Sequence, residues 1–221
     1  MKYKAIIFDM DGTIIDTEMV WDGASKRLIA EKNIKLSLEQ QEWLVKNSIG
    51  MSVIDCCRTL KELVSLNDSI EELGERVIFH AKTLYSQGIR FIPGFVEFHQ
   101  KAQTHGLKMG IATNADDHTL HLAKTSLNLD SLFGEHIYNP TVAGYKYKPD
   151  PAVYLHAAQQ LMVDPNLCIA IEDSAHGINA ARAAGMLSIG IGTSHDPEQI
   201  KLAHMPVPGY EHINLADILG I

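Results

Sequence analysis

The sequence predicts an α/β protein in which a parallel β-sheet is interrupted, after its first strand, by a block of helices. The chain begins with an unbroken apolar run, Ala5 to Phe8, which is typical of a strand buried on both faces. Beyond residue 94, short apolar runs alternate with stretches of helical periodicity, whereas residues 17–88 show helical periodicity alone. Strands that alternate with helices form a parallel sheet, so the long helical stretch is an insertion in it.

Composition and charge exclude several classes of protein. The 221 residues are 46% hydrophobic and 21% charged, as in ordinary globular proteins. The net charge of −8, without a basic run, argues against a nucleic-acid partner or an anionic membrane surface. No apolar stretch approaches the roughly 20 residues that span a bilayer. The three cysteines lack metal-ligand spacing, and no signal-like segment opens the sequence. We therefore expect a cytoplasmic protein with reduced thiols, and a monomer.

The inserted block is predicted to be a small helical bundle. Ser37, Ser52 and either Asp68 or Ser69 are suited to cap the amino termini of its helices. Pro and Gly between residues 88 and 94 end the block. We expect hinges near residues 16–17 and 89–93, and a division into a core, residues 1–16 and 92–221, and a helical cap, residues 17–91. The predicted helices cover residues 18–32, 38–46, 52–65 and 69–86.

After residue 93 the pattern returns to alternating strands and helices. Further helices are predicted at residues 94–105, 117–127, 151–162 and 174–184. The strands between them are predicted at residues 107–112, 136–138, 168–171 and 187–191, with a last short strand and helix within about 210–219.

Polar side chains follow three of the predicted strands. In an open α/β sheet the ligand lies at the carboxyl ends of the strands, so we expect these side chains to meet at one edge. The loop before residue 151 adds an ammonium group to this set. The candidate site residues are Asp9 and Asp11 after the first strand, Thr113 and Asn114 after the second, Glu172 and Asp173 after a later one, and Lys148 in the loop.

The residue types at this edge point to a metal ion and a phosphate. Clustered carboxylates repel one another unless a cation neutralises them, and oxygen ligands without His or Cys favour Mg²⁺. Thr113 and the amides after it are suited to phosphoryl oxygens, and Lys148 supplies a point charge to the same group. Phosphoryl transfer also needs a nucleophile and a proton donor, for which Asp9 and Asp11 are the candidates.

These motifs, in this order, resemble those of the haloacid dehalogenase superfamily, in its sugar-phosphatase and phosphoglucomutase-like branch. The family pattern is Asp-x-Asp-Gly-Thr, then a Ser or Thr, a Lys, and an acidic pair. Here it is matched by residues 9–13, Thr113, Lys148 and Glu172-Asp173. The resemblance covers nearly the whole chain and implies a Rossmann-like parallel-sheet core with an inserted helical-bundle cap.

The resemblance also implies roles for individual residues. Asp9 would form an aspartyl-phosphate, while Asp11 would protonate the leaving group and then activate water. Mg²⁺ would be held by Asp9, the backbone carbonyl of Asp11, and Asp173. Glu172 would either bind the metal as a further ligand or contact the residues that bind it.

Two features of the insertion favour hydrolysis over phosphohexomutase activity. Ten residues past Asp11, where the mutase branch has a proton-handling His, this chain has Trp21. The Gly-x-Ser turn at residues 50–52 is followed by Val53, whereas the mutases carry an Arg there. The β-phosphoglucomutase-like reaction remains the alternative, and a non-catalytic phosphate-binding regulator is a third hypothesis, disfavoured because Asp9 and Asp11 are both present.

The expected substrate is a small phosphorylated metabolite. An insertion that closes over the sheet edge limits the size of the leaving group. Hydroxyl and amide groups near Thr17, Ser52 and Asn114 could bond a polyol, which favours small sugar or polyol monophosphates. We expect Trp21, Met51 and Ser52 to select among them.

Overall fold

The computed structural model describes residues 1–48, 51–193 and 198–221. Within them, six strands form one sheet in the order β5-β4-β1-β6-β7-β8, and every neighbouring pair is parallel. Two further strands, β2 and β3, form a separate antiparallel pair. The strands are β1 Ala5–Phe8, β2 Ile15–Asp16, β3 Arg90–Phe91, β4 Lys108–Ala112, β5 Ile137–Tyr138, β6 Cys168–Glu172, β7 Leu187–Ile191 and β8 Met205–Val207.

The helices connect the strands as the alternating pattern predicts. Turns of 3₁₀ helix lie at Pro140–Ala143, Pro165–Leu167, Gln199–Leu202 and Tyr210–His212. The α-helices are α1 Glu18–Glu31, α2 Leu38–Ser48, α3 Val53–Val64, α4 Ile70–Tyr85, α5 Phe95–Thr104, α6 Asp117–Leu127, α7 Asp130–Phe133, α8 Ala152–Gln160, α9 Ala175–Ala183 and α10 Leu215–Leu219. None of them, in the described parts of the chain, is long and apolar enough to cross a membrane.

Strand β1 lies at the centre of the sheet, and all of its side chains are buried. Phe8 faces one layer of the core, where its ring meets those of Phe95 and Phe98 edge-on at 5.7 and 6.2 Å between centroids. Ile7 faces the opposite layer, which contains Tyr154. A strand buried on both faces is therefore confirmed, and its apolar run is explained by the helices that cover the sheet on either side.

Helices α1 to α4 are the predicted helices of the insertion, and their predicted N-caps are confirmed. The hydroxyl of Ser52 accepts the amide of Asp55 at 3.1 Å at the start of α3. Ser69, rather than Asp68, caps α4 and forms a reciprocal capping box with Glu72. These bonds satisfy amides that a helix start leaves without partners, so the helix boundaries follow from local sequence.

A two-stranded ribbon, which the sequence did not predict, joins the insertion to the sheet. Strands β2 and β3 pair antiparallel, and the side chains of Asp16 and Arg90 form an ion pair at 2.9 Å across them. Each strand is two residues long, too short for an alternating pattern to be visible. The hinges were expected at this ribbon; they and the domain division stay predictions.

The prediction of a last strand within residues 210–219 was wrong, because the last strand lies earlier in the chain. Strand β8 is Met205–Val207, and only a 3₁₀ turn and the short helix α10 follow it. Pro206 lies in its centre, and proline disfavours a strand inside a sheet because it cannot donate to a ladder. The structure accommodates it because β8 is the edge of the sheet and pairs with β7 alone.

Candidate active site

Three neighbouring strands deliver the candidate residues to one edge of the sheet, as predicted. β1 pairs with β4 on one side and β6 on the other, so the residues at their carboxyl ends are adjacent. Asp9 follows β1, Thr113 follows β4, and Glu172 and Asp173 stand at the end of β6. All of them are buried. Polar groups this deeply buried need partners. Some of these partners are local, such as Ser174 for Glu172, and others come from distant parts of the chain, such as Lys148 for Asp9.

Lys148 joins two of the buried carboxylates. Its ammonium lies 2.6 Å from Oδ1 of Asp9 and 2.6 Å from Oε1 of Glu172, and the side chain is 2% exposed. Burial opposes the charge on this lysine, but the two carboxylates outweigh that effect and raise its pKa. The site thus contains a fixed positive charge directly beside Asp9.

Asn114 positions the Lys148 loop. Its side-chain oxygen accepts the backbone amide of Lys148 at 2.8 Å, and its side-chain nitrogen donates to the backbone carbonyl of Lys148 at 3.4 Å. The peptide bond between Lys148 and Pro149 is cis. The sequence had offered Asn114 to the substrate, a role that stays a prediction, whereas these bonds fix the backbone that carries the lysine.

Asp9, Glu172 and Asp173 form a buried acidic cluster in which one oxygen of each lies within 4.8 Å of the others. Burial, followed by the charge of Glu172, raises the pKa of Asp9 to about 7, although Lys148 acts in the opposite direction. Burial and then the charge of Asp9 raise the pKa of Asp173 well above its usual value. One lysine therefore does not neutralise the cluster, and a hard cation with oxygen ligands suits it.

Gly12 leaves the space that this cluster needs. Its φ of +79° is in the region that favours glycine, and a Cβ at this position would lie 2.3 Å from Oδ2 of Asp173. The hydroxyl of Thr13 donates to the other oxygen of Asp173 at 3.4 Å. Backbone and carboxylate can approach closely only because residue 12 has no side chain.

Glu172 is surrounded by protein donors, including one that sequence reasoning missed. The hydroxyl of Tyr154 donates to Oε1 at 2.7 Å, and that of Ser174 donates to Oε2 at 3.2 Å. A Cβ at Gly177 would lie 1.7 Å from Oε1, so α9 can pass the carboxylate only with glycine there. Both oxygens of Glu172 thus bond to the protein. A sequence signal for Tyr154 existed, since a tyrosine within an apolar helix needs a buried partner for its hydroxyl.

Asp11 is not part of the acidic cluster and is bonded to residues of the insertion. Its Oδ1 accepts the hydroxyl of Thr17 at 2.7 Å, the indole nitrogen of Trp21 at 3.2 Å and, at 3.5 Å, the hydroxyl of Tyr85. Burial raises its pKa, against the effect of these donors. Trp21 therefore contacts a candidate catalytic group, and Tyr85 is a second residue that the sequence did not reveal.

The site opens into one large cavity, which we call the chamber. Its volume is about 1120 Å³, and it lies between the sheet edge and helices α1 to α4. Asp9, Asp11, Thr113, Lys148 and Asp173 line it on the sheet side. The carboxylates and the ammonium group are therefore accessible to a small molecule that enters the chamber.

Comparison with known proteins identifies the family. The family model described as haloacid dehalogenase-like hydrolase matches residues 3–185. The chain belongs to this family. It is 31% identical over 220 residues to hexitol phosphatase B of Escherichia coli O157:H7, a match that covers 98% of this chain and 96% of that protein. It is 28% identical to β-phosphoglucomutase of Bacillus subtilis, over 86% of this chain and 83% of the relative.

The fold is shared with solved structures of the family. The crystal structure of β-phosphoglucomutase from Clostridium difficile superimposes with a TM-score of 0.81, covers 99% of this chain and 96% of its own, and is 22% identical. The predicted family and fold class are thus confirmed, and the chain is an enzyme of the family's phosphatase class. The individual catalytic and metal-binding assignments stay predictions.

The residues at the sheet edge fit the divalent cation expected for a haloacid dehalogenase-like hydrolase. The donor set consists of oxygen atoms alone, the carboxylates repel one another, and Gly12 keeps the backbone close to Asp173. Glu172 is bonded through both oxygens, to Lys148, Tyr154 and Ser174. The metal-ligand roles expected of Asp9 and Asp173 stay predictions. Gly50 of the turn that bears on the mutase alternative lies outside the described residues.

Proposed function

We propose that the protein hydrolyses small phosphomonoesters, among them sugar or polyol phosphates, with Mg²⁺ and through an aspartyl-phosphate on Asp9. The observation that carries the proposal is that Asp9 and Asp11 have different surroundings. Although two residues apart, Asp9 lies in the acidic cluster beside Lys148, whereas Asp11 is bonded to donors of the insertion. Environments this different suit a nucleophile and a general acid.

In the first step an oxygen of Asp9 forms a bond to phosphorus as the bond from phosphorus to the leaving oxygen breaks. Asp11 gives its proton to that oxygen, and the product alcohol departs. Lys148 and Thr113, with the amides after it, bind the phosphoryl oxygens. When bound, Mg²⁺ would be held by Asp9, the carbonyl of Asp11 and Asp173, and would neutralise charge on the phosphoryl group.

In the second step water attacks the aspartyl-phosphate. Asp11, now ionised, takes a proton from the water as its oxygen bonds to phosphorus, and the bond to Asp9 breaks. Inorganic phosphate leaves, and both carboxyl groups return to their starting states. Each proton taken from Asp11 in the first step is thus replaced in the second, so the cycle needs no further acid or base.

The test is the release of inorganic phosphate from hexitol 6-phosphate, with and without Mg²⁺. We expect release that depends on Mg²⁺ and stops with chelator, and a phosphate on Asp9 that survives a rapid acid quench and is released by hydroxylamine. Conversion of β-glucose 1-phosphate to the 6-phosphate, with little phosphate released, would establish the mutase alternative instead. Binding of phosphate esters without turnover would support a non-catalytic regulator. The cytoplasmic location and the monomeric state remain predictions.

A further inference from the structure

The polar groups that the sequence offered to a polyol are engaged within the protein. The hydroxyls of Thr17 and Ser52 donate to the carboxylates of Asp11 and Asp55 at 2.7 and 2.8 Å. Ser52 also accepts an amide as the N-cap of α3. The side-chain oxygen and nitrogen of Asn114 bond to the backbone amide and carbonyl of Lys148. A sugar hydroxyl in the chamber would have to compete with these bonds, which weakens the case for recognition through hydroxyls.

Among the described residues, the buried side chains on the insertion's side of the chamber are mostly apolar. Every helix of the insertion contributes a side chain to it that is less than a tenth exposed, so the chamber extends into the bundle itself. These side chains are Leu28 of α1, Leu44 of α2, Cys57 and Leu60 of α3, and Val77 of α4.

The polar side chains of this wall lie mostly where water reaches them. Asp22 bonds to Lys26 at 2.6 Å, and that lysine is exposed. Ser25 adds a partly buried hydroxyl on the same helix. Of the other polar side chains that the structure describes on this wall, Lys35, Gln41 and Glu42 are exposed, and Ser52 is the buried N-cap of α3.

The size and continuity of the chamber indicate what enters it. Its volume of about 1120 Å³ exceeds the roughly 300–1000 Å³ of most small-molecule pockets. One end is the phosphate site at Asp9 and Lys148, and the other is the apolar wall. A phosphate ester bound at the first end therefore directs its leaving group toward the second. Hydroxyls placed against the buried apolar side chains of that wall would lose water without gaining partners, whereas carbon would gain by leaving water.

We infer that the preferred substrate carries an apolar arm, of alkyl or aryl carbon, on its leaving group, and that the insertion binds this arm. The inference rests on the proposed function and names the class of its substrate. It assigns specificity to burial of carbon against Leu28, Leu60 and their neighbours rather than to hydrogen bonds with a polyol.

A series of straight-chain alkyl phosphates, from ethyl to octyl, tests the inference on the wild-type enzyme with Mg²⁺. The leaving alkoxides hardly differ in basicity beyond ethyl, so any trend in kcat/KM reports contacts of the chain. We expect kcat/KM to rise about fourfold for each methylene until the chamber is full. We also expect hexyl phosphate to be a better substrate than hexitol 6-phosphate, which has the same number of carbons.

A pair of variants on α3 locates the binding of the arm. Val53 lines the chamber, whereas Ile54, the next residue, is 37% exposed and does not. Val53→Phe should fill part of the chamber, shorten the chain length at which kcat/KM reaches its plateau, and leave ethyl phosphate unaffected. Ile54→Phe should leave the whole series unchanged.

The outcomes separate this inference from the proposed function. If hexitol 6-phosphate is hydrolysed well but kcat/KM is flat or falls along the alkyl series, the inference is overturned while the function stands. The same holds if the series rises but Ile54→Phe alters it as much as Val53→Phe does. If no phosphate ester in either group is hydrolysed, the proposed function itself fails.

Discussion

The two walls of the chamber are built by opposite means. On the sheet side, charged groups are buried and bonded across long separations in sequence, as in the contact of Lys148 with Asp9. On the insertion side, ion pairs such as Lys26 with Asp22 are exposed, and the buried side chains that line the chamber are mostly apolar. Catalysis needs charged groups that are held in place before the substrate binds. Binding of an apolar group needs only a surface that fits it and excludes water.

Because the fixed charges lie on the sheet side of the chamber, loss of the nucleophile there should have the largest effect. Asp9→Asn removes a charge and a good nucleophile, so turnover of every substrate should fall by about three orders of magnitude or more. The measurement is phosphate release from para-nitrophenyl phosphate. Asp130→Asn, at an exposed carboxylate, is the control and should keep the wild-type rate. A near-normal rate for purified Asp9→Asn would rule out the mechanism.

The second prediction concerns the proton donor. Asp11→Asn should slow esters with poor, alkoxide-like leaving groups by about two orders of magnitude or more, and should slow para-nitrophenyl phosphate much less, because a phenolate needs little protonation. The ratio of the two losses is the measurement. Equal losses would remove Asp11 from the role of acid and leave it as a structural partner of Thr17 and Trp21.

Replacing Lys148 and replacing Asp173 should lower activity in different ways. Lys148→Ala should lower turnover by about two orders of magnitude at every Mg²⁺ concentration, because the phosphoryl group loses a charge partner. Asp173→Ala should chiefly raise the Mg²⁺ concentration needed for half-maximal activity. Titration of activity with Mg²⁺ distinguishes them. If excess Mg²⁺ rescued both variants equally, Lys148 would act by keeping the carboxylates together.

The acidic cluster should also make the metal-free protein sensitive to pH. The pKa of Asp9 is about 7 in the fold against 3.8 unperturbed, so the native state binds this proton more tightly than the unfolded chain does. Its contribution to stability is fully present below about pH 4 and is lost as the pH rises through about 7. In chelator, the melting temperature should therefore fall across this window.

Two controls assign that effect to the cluster. Asp9→Asn removes the titrating carboxyl, and Mg²⁺ neutralises the charges, so either change should flatten the dependence of melting temperature on pH. A wild-type melting temperature that stays constant or rises over the same window in chelator would contradict the cause given for the raised pKa.

The smallest expected effect concerns the insertion's wall. Ser52→Ala removes an N-cap, which should cost about 1 kcal/mol and lower the melting temperature by roughly 2–4 °C. Ser69→Ala, the cap of α4, should do the same. Neither should alter the ratio of kcat/KM between hexyl and hexitol phosphates. A loss confined to the hexitol ester in Ser52→Ala alone would show that its hydroxyl binds substrate.

Local patterns in the sequence were enough for most of the fold. The buried strand β1 and the helix caps depend on residues that are neighbours in sequence, and each is found in the structure. The strand and the caps were predictable because short-range periodicity and capping determine them. The meeting of the strand ends around Asp9 followed from the general rule for open α/β sheets, and the resemblance to the family added the roles of individual residues.

What the sequence could not reveal depends on contacts between distant residues. Tyr154 and Tyr85 donate to the acidic groups from helices far along the chain. Whether Asn114 turns its amide toward a ligand or toward the Lys148 backbone is decided by where that loop lies. Thr17 and Ser52, which were also assigned to the substrate, show the same difficulty. The residue type alone does not reveal that each hydroxyl already bonds to a carboxylate of the protein.

The ribbon of β2 and β3 has a consequence for how such enzymes can be rebuilt. Both passages of the chain between sheet and insertion run side by side there, tied by Asp16 and Arg90. Neighbouring strands are about 4.8 Å apart, so any module whose two ends lie that close could be grafted at this point without altering the register of the sheet. The insertion is thus attached to the sheet at one place. Replacing the insertion would change substrate selectivity, while the acidic cluster and Lys148 would stay in place.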